Sequence, residues 1–335
     1  MPSRSKFYDP SKGKYFNPKV DRRVAIVTGG NSGIGWYTVL HLYLHGYIVY
    51  IAGRTESKVL KAIEDIKKEA NKRIDAYSKE EQEERHLGSL TYVYFDCLDL
   101  STVAACAKNF AKKEEKLDLL INNAGLMGVP YEETKDGYEI QYQVNFVAPF
   151  LFTLELLPNL KAAVTNGTPR VIMLSSIGHR ASYKYFDPTN KVNCTPNFMY
   201  TWVRYGIAKV AEIHFAKKLA KLYPNILSFA VHPGVIIGTE LYNHWKNLPV
   251  IGGFYKGSLN VFGRVAGVGL EEGSLATLRA AFDPELENEN GAYLETGGVI
   301  AKPTSVATTK DNIERTWEYN VEELRKKGFL TAFEA

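Results

Sequence analysis

The amino-acid sequence predicts an α/β fold with a doubly wound parallel sheet, and three observations support this expectation. Short apolar runs rich in β-branched residues recur along the chain, as in strands that are buried on both faces of a parallel sheet. Segments of helical character alternate with these runs, which is the pattern of repeated βαβ units. Glycine or small polar residues follow several of the runs, at the strand ends where such sheets bind ligands. We therefore expect a Rossmann-type sheet in a single domain.

The first apolar run, VAIVT at 24–28, illustrates the strand pattern. A glycine cluster follows it, then a helix-like segment over about 34–45 that Gly46 ends, and then a second apolar run. This order makes one βαβ unit. The six predicted strands cover residues 24–28, 47–52, 90–95, 117–121, 171–174 and 227–231.

The segments between the strands carry helical patterns of different character. Residues 56–86 are dense in Lys and Glu, and Ile63 and Ile66 have helical spacing, which predicts a long solvated helix followed by a surface insertion. Apolar stretches predict one long helix over about 138–160 and another over 202–222. The C-terminal third is expected to supply a substrate-side cap at 240–270 and a last strand. Residues 1–20 are interpreted as a polar extension that precedes the domain at 21–335.

Composition excludes several classes of protein. The 335 residues are 45% hydrophobic, which is ample for a sizeable core, and 41 Lys and Arg against 37 Asp and Glu give a net charge of +4. This charge is spread along the chain, so we expect no nucleic-acid binding. Three cysteines favour a reducing compartment over a disulfide framework. The N-terminus lacks the apolar core of a signal peptide, and no stretch has 18 uninterrupted apolar residues, so a cytoplasmic protein is expected.

The glycine cluster TGGNSGIG at 28–35 lies between a predicted strand and a predicted helix. Glycines there allow a tight turn and a close approach to a pyrophosphate, and the helix N-terminus offers free N–H groups to phosphates. The cluster therefore predicts dinucleotide binding. An acidic residue after the second strand would favour NAD, but Gly53 and Arg54 stand there. Since arginine pairs with a 2′-phosphate, we predict NADP(H), with an ordinary exposed arginine as the alternative.

Two further strand ends are expected to contact the cofactor. Asp96, after the third strand, is a candidate hydrogen-bond acceptor for adenine. The alternative, a loop aspartate that caps the next helix, fits Asp99 about equally well and Asp96 less well. The turn Asn-Asn-Ala-Gly at 122–125 follows the fourth strand. It would let the chain pass close to the cofactor and brace the neighbouring strand.

Reaction chemistry is predicted for Tyr205 and Lys209, which share one face of a predicted helix. A lysine ammonium lowers the pKa of a nearby phenol from about 10 toward neutrality, which makes tyrosine usable as a general acid or base. Ser176, at the end of the fifth strand, would hold the substrate oxygen, and Ser175 is the competing choice. Asn145 lies within an apolar helix and needs polar partners. A water relay to Lys209 explains it better than a plain helix kink.

Together these motifs, over about 24–241, resemble the short-chain dehydrogenase/reductase superfamily. The resemblance implies hydride transfer between NADP(H) and a carbonyl or alcohol, with Tyr205 as acid/base and Ser176, Lys209 and Asn145 completing the catalytic set. No metal is expected, and His232 is interpreted as a structural residue. The expected cofactor-binding residues are Thr28, Gly29, Asn31, Ser32, Gly33, Ile34, Gly35, Arg54, Asp96, Cys97, Asn123, Ala124, Gly125, Tyr205, Lys209, Pro233, Gly234, Val235 and Thr239.

The sequence departs from the general family pattern in two ways. The 29-residue spacing from Ser176 to Tyr205 is longer than usual, and with Arg54 and the segments 175–179 and 291–293 it resembles the retinol-dehydrogenase-like branch. The chain is especially similar to fungal members of that branch, some of which associate with lipid droplets. A hydrophobic anchor is not found at the N-terminus, so the expected location is cytoplasmic. Peripheral contact with a lipid droplet or membrane, through 248–270, stays open.

The substrate and the assembly are less determined by the sequence. Aromatic and sulfur side chains flank the expected site and suggest a lipophilic aldehyde or ketone, such as a lipid, retinoid or sterol, while ordinary core packing explains them equally well. A sensor that binds NADP(H) without turnover, and a lipid-droplet protein that binds partners through 56–86, are the alternative functions. The sequence leaves open whether the chain forms a homodimer. The flanking side chains are Tyr183, Tyr185, Met199, Trp202 and Trp245.

Overall fold

The computed structural model describes residues 3–182, 184, 186–189, 192–236, 267–331 and 333. These residues form one eight-stranded sheet in the order β3-β2-β1-β4-β5-β6-β7-β8, parallel except for the antiparallel last pair. The predicted doubly wound α/β sheet is thus confirmed. Its strands are β1 Val24–Thr28, β2 Ile48–Gly53, β3 Ser89–Tyr94, β4 Leu119–Asn122, β5 Arg170–Leu174, β6 Leu227–Val231, β7 Tyr293–Glu295 and β8 Val299–Ala301.

Helices cover both faces of the sheet, as a sheet with buried central strands requires. One layer packs Phe110, Phe150 and Trp317 against the sheet, and the other packs Val39 and Ile66. The helices are α1 Gly33–Leu44, α2 Glu56–Ile74, α3 Lys79–Glu84, α4 Leu100–Ala111, α5 Ile140–Tyr142, α6 Ala148–Glu155, α7 Leu157–Ala163, α8 Asn197–Leu222, α9 Leu270–Phe282 and α10 Lys310–Lys326.

The predicted strands agree with the structure to within two residues at each end, and the expected last strand is present as β7 and β8. The helix expected over 138–160 is present, but it is not one continuous α-helix. Short helices α5, α6 and α7 stand there, with a π-helical turn at Gln143–Val147 between the first two. Proline explains the breaks, because Pro149 and Pro158 lack the N–H that a continuous α-helix requires.

The charged segment 56–86 forms α2 and the short helix α3. Val59, Ile63 and Ile66 on one face of α2 are buried, so this helix covers the sheet while its charges lie on the opposite face. Ser78 begins α3 with a capping box that includes Glu81. The surface insertion is therefore a single short helix joined to α2.

The polar N-terminal residues lie against the sheet domain. Tyr8 N donates to Gly297 O at 2.9 Å, and Phe16 N donates to His45 O at 3.0 Å. The ring of Tyr15 stacks on His45 with 4.1 Å between centroids. These contacts hold the segment over the end of α1.

The cap expected at 240–270 falls mostly on residues outside the described part of the chain. The described chain stops at Ile236 and resumes at Gly267, and Val235 pairs with Gly267 in a parallel bridge. Among the described residues, no single helix has the length and apolarity that crossing a bilayer needs. Helical stretches Ile140–Glu155 and Leu157–Asn166 meet that criterion only as a pair with a 56° bend.

Candidate active site

A cleft of about 470 Å³ opens at the carboxyl ends of β1 and β4, where the strand order reverses. Ligands of doubly wound sheets bind at this position. We call it the larger cleft. Its lining brings together thirteen of the predicted site residues, namely Gly29, Asn31, Ser32, Gly33, Ile34, Arg54, Asn123, Ala124, Gly125, Asn145, Tyr205, Lys209 and Pro233.

The glycine turn forms one wall of the larger cleft and leads into α1. Gly29 and Gly33 have φ angles of +65° and +59°, a conformation that glycine adopts without a steric penalty. Ser32 precedes α1 and makes no capping hydrogen bond with its side chain. The first N–H groups of α1 are therefore left for a ligand, and the positive end of the helix dipole favours an anion.

The Asn-Asn-Ala-Gly turn braces the glycine turn as expected. Thr28 Oγ1 accepts hydrogen bonds from Asn123 N at 3.0 Å and from Ala124 N at 2.9 Å. Asn123 Nδ2 donates to Thr28 O at 2.8 Å. A Cβ atom at Gly35 would lie 2.5 Å from Asn123 Nδ2. The two turns are therefore packed too closely to admit a side chain at position 35. A narrow glycine turn against a free helix N-terminus fits the pyrophosphate of a nicotinamide dinucleotide.

Two basic residues stand at the α2 end of the larger cleft. Arg54 and Lys58 both line it and are both exposed. Sequence reasoning found Arg54 but missed Lys58, because the whole segment was interpreted as a solvated helix. The signal was present, since Lys58 lies four residues after Arg54, close to the start of α2.

Asp96 and Cys97 follow β3 and lie outside the lining of the larger cleft. Asp96 Oδ1 accepts a hydrogen bond from Leu98 N at 3.0 Å. Cys97 is buried, its carbonyl accepts from Gln143 Nε2 at 3.0 Å, and burial raises the pKa of its thiol to about 12. Asp99 caps α4 by accepting from Ser101 N, which confirms the capping alternative for that aspartate. The adenine contact of Asp96 remains a prediction.

Tyr205 and Lys209 lie on α8 with Ser176 facing them from the end of β5. Tyr205 is only 5% exposed. Ser176 Oγ accepts from Gly178 N at 3.0 Å and hydrogen-bonds the phenol of Tyr205. Ser175 instead donates to the backbone carbonyl of Lys209 at 2.7 Å. This geometry favours Ser176 over Ser175 as the serine beside the phenol.

The pKa of Tyr205 is raised in the structure, whereas the sequence suggested that Lys209 would lower it. Burial raises the pKa of the phenol, the hydrogen bond with Ser176 opposes that rise, and the charge of Glu212 adds to it. Lys209 Nζ is committed to Leu174 O at 2.7 Å and to Glu212 Oε1 at 2.8 Å. Glu212 was missed by sequence reasoning, although its place three residues after Lys209 on a helix was a readable signal.

Asn145 lies in the π-helical turn, and its side-chain amide is fully engaged. Its Oδ1 accepts from Leu126 N at 3.0 Å, and its Nδ2 donates to Leu126 O at 2.9 Å and to Gln141 O at 2.8 Å. The water relay to Lys209 that the sequence suggested for this residue remains a prediction. Asn145 instead holds the chain after Gly125 in place, and a Cβ at Gly125 would lie 2.6 Å from Asn145 Oδ1.

A second cleft of about 280 Å³, the smaller cleft, meets the larger one at Tyr205. Its apolar lining includes Met127, Ile177, Trp202 and Ile236. The predicted residues Ser176, Gly234 and Val235 also line it.

The remaining predicted residues that the structure describes do not line the larger cleft. Met199 is exposed, and Thr28 and Gly35 support the glycine turn from behind. His232 lines the smaller cleft and is buried, which lowers its pKa to about 4. The residues that fall outside the described part of the chain are Tyr183, Tyr185, Thr239 and Trp245.

Comparisons with known proteins agree with this arrangement. A family model described as short chain dehydrogenase matches residues 23–187. The chain is 36% identical to an uncharacterized oxidoreductase of Schizosaccharomyces pombe, over 82% of this chain and 77% of that protein. It is 31% identical to human polyprenol dehydrogenase, over 83% and 78% of the two chains. It is 29% identical to mouse retinol dehydrogenase 12, over 93% and 92%.

Solved structures add evidence for the fold. A crystal structure of an uncharacterized protein from Mycobacterium paratuberculosis matches with a TM-score of 0.66 at 22% identity, covering 95% of this chain and 98% of that one. The sequence relatives, the strand order and the position of the cleft all indicate the same family. The chain therefore belongs to the short-chain dehydrogenase/reductase superfamily of oxidoreductases, within its retinol-dehydrogenase-like branch.

Proposed function

We propose that this protein is an NADP(H)-dependent oxidoreductase that interconverts a lipophilic aldehyde or ketone and the corresponding alcohol. The observation that carries the proposal is the position of Tyr205. Its side chain lines both the larger and the smaller cleft, with the Ser176 hydroxyl beside it and Lys209 one helical turn away. A group in this position can exchange a proton with a substrate in the smaller cleft.

Each residue of the site has a defined part in the proposed chemistry. When bound, the nicotinamide cofactor supplies or takes up the hydride. The Ser176 hydroxyl holds the substrate oxygen, and Tyr205 gives a proton to that oxygen in reduction or removes one in oxidation. Lys209 Nζ carries three N–H donors, of which Leu174 O and Glu212 use two. The third is available to a ribose hydroxyl in the larger cleft.

Preference for the 2′-phosphorylated cofactor is supported by the charges at the α2 end of the larger cleft. β2 ends in Gly53, so the position that would carry a carboxylate for the NAD ribose has no side chain. Arg54 and Lys58 provide two positive groups there. A phosphate dianion would pair with both.

A lipophilic substrate is supported by the apolar character of the smaller cleft. Met127, Ile177, Trp202 and Ile236 surround the approach to Tyr205, and apolar surface of this kind favours substrates that leave water readily. Two relatives carry names that refer to long or polyene alcohols, polyprenol dehydrogenase and retinol dehydrogenase 12. We extend this substrate class to the present chain as part of the proposal.

The experiment is a spectrophotometric assay of NADPH oxidation with aliphatic, aromatic and polyene aldehydes and ketones, with NADH in parallel. We expect turnover with NADPH and a preference for long apolar carbonyls. Tyr205→Phe should abolish turnover and leave NADPH binding, followed by its fluorescence, within a few-fold of the wild type. Retained turnover in that variant would refute the proposal. NADPH binding without turnover by the wild type would favour the sensor function instead.

A further inference from the structure

A buried carboxylate lies directly behind the lysine of the proposed site. Glu212 is 2% exposed, and its Oε1 accepts a 2.8 Å hydrogen bond from Lys209 Nζ. Burying an ionised carboxylate is costly unless it is paired. Glu212 lies outside the lining of both clefts and is not needed for the proton transfer described above, so its presence calls for an explanation.

The pair changes the electrostatic field at the phenol. Lys209 Nζ lies 5.4 Å from the centre of the Tyr205 ring, a distance at which an unpaired ammonium lowers a phenol's pKa by about one to three units. Burial raises the pKa of Glu212 to about 7, so above that pH its carboxylate is ionised and offsets the positive charge of Lys209. Burial is the largest cause of the raised pKa of Tyr205, and the charge of Glu212 raises it further.

The other titratable groups near the pair contribute little charge. Tyr293 faces it from β7, and burial raises the pKa of that phenol. His232, after β6, and His179, after β5, are both buried, which lowers the pKa of each imidazole and leaves both neutral at pH 7. Arg180 is largely exposed and pairs with Glu295 at 3.7 Å. Lys209 and Glu212 therefore dominate the field at Tyr205.

We propose that Glu212 is a positioning residue that neutralises Lys209 and keeps Tyr205 a protonated phenol, so that the phenolate required for alcohol oxidation forms only at a higher pH. This inference rests on the proposed function. In reduction, the phenol proton passes to the carbonyl oxygen while the carbonyl carbon receives hydride from the reduced nicotinamide. In oxidation, a phenolate must form first and then takes the proton of the alcohol, while the hydride passes to the oxidised nicotinamide. Glu212 disfavours the phenolate.

The test compares pH profiles of the wild type, Glu212→Gln and Glu212→Asp for oxidation of a long-chain primary alcohol with NADP⁺. Glutamine keeps the size of the side chain and an acceptor for Lys209, but removes the charge. Glu212 Oε2 has no hydrogen-bond partner among the described residues, so the new amide breaks no existing bond. We expect the alkaline rise of kcat/KM to move about one unit toward lower pH in this variant. Glu212→Asp, which keeps the charge, should retain the wild-type midpoint even where its rate falls.

The outcomes separate the inference from the function on which it rests. A Glu212→Gln profile that coincides with the wild-type profile, in an enzyme that Tyr205→Phe inactivates, would overturn the role of Glu212 and leave the proposed function intact. Turnover by Tyr205→Phe would instead overturn the function. Glu212→Met is a second uncharged variant in case the glutamine variant misfolds, which circular dichroism would reveal. The same shift is expected for it, and an unshifted profile would count equally against the inference.

Discussion

At the scale of single residues, Thr28 holds the two turns of the larger cleft together. It is fully buried at the end of β1, and its hydroxyl is the acceptor for two backbone N–H groups of the neighbouring turn. Buried backbone donors are nearly always satisfied, because an unpaired one loses its bond to water without a replacement. One side-chain oxygen therefore fixes the backbone of Asn123 and Ala124 against the glycine turn.

We predict that Thr28→Val destabilises the protein and weakens cofactor binding. Valine has the shape of threonine but leaves the N–H groups of Asn123 and Ala124 without an acceptor, at a cost of about 2–4 kcal/mol in the free energy of unfolding. Urea unfolding and titration of NADPH fluorescence measure the two effects. Thr28→Ser is the matched control. It keeps the hydroxyl and loses one methyl group, so a cost of about 1 kcal/mol is expected. Equal losses of stability and of NADPH affinity in the two variants would show that the hydroxyl does not account for those losses.

At the scale of secondary structure, the strands were predictable and the π-helical turn at Asn145 was not. Strands buried on both faces consist of apolar runs that the sequence displays directly. The break at Gln143–Val147 depends on Pro149 and on hydrogen bonds between Asn145 and Leu126, which are 19 residues apart. Lys58 and Glu212 were missed for a related reason, since tertiary packing decides which face of a charged helix meets a cleft.

The junction of α4 and α7 depends on one buried amide. Asn159 Nδ2 donates to Glu114 O at 2.7 Å and to Glu115 O at 3.0 Å, just beyond the end of α4. We predict that Asn159→Leu costs about 1–3 kcal/mol in the free energy of unfolding, because both carbonyls lose their donor. Asn159→Asp should cost more at neutral pH, since a carboxylate would face two carbonyl oxygens.

The pH dependence of the Asn159→Asp variant provides the sharper measurement. Protonation gives the new side chain an O–H donor, so urea unfolding at pH 7 and pH 5 should show part of its deficit recovered at the lower pH, relative to the wild type. Asn109→Asp, at an exposed position of α4, is the control and should change stability little at either pH. A deficit that is the same at both pH values would contradict the role of the donor.

At the scale of the whole molecule, buried histidines in three separate regions couple stability to pH. His45 lies at the end of α1 between the rings of Tyr15 and Phe282. His214 lies on α8 between Val306 O and Thr316 Oγ1, and His232 follows β6. Burial lowers the pKa of each imidazole from 6.5 to about 4. All three are therefore neutral in the folded protein over a range in which they are protonated in the unfolded chain.

The sign of the effect follows from proton binding. Between pH 6.5 and 4 the unfolded chain binds more protons at these histidines, so the free energy of unfolding should fall as the pH is lowered. Glu212 opposes this by one proton, since burial raises its pKa in the folded state. The three histidines outweigh this single carboxyl, so the slope of the free energy of unfolding against pH is expected to be positive near pH 5. Urea unfolding at intervals between pH 7 and pH 4.5 measures this slope. His214→Gln should reduce the slope by the contribution of about one proton. A stability that stays constant over this range would show that the imidazoles are protonated in place or reach water before the protein unfolds.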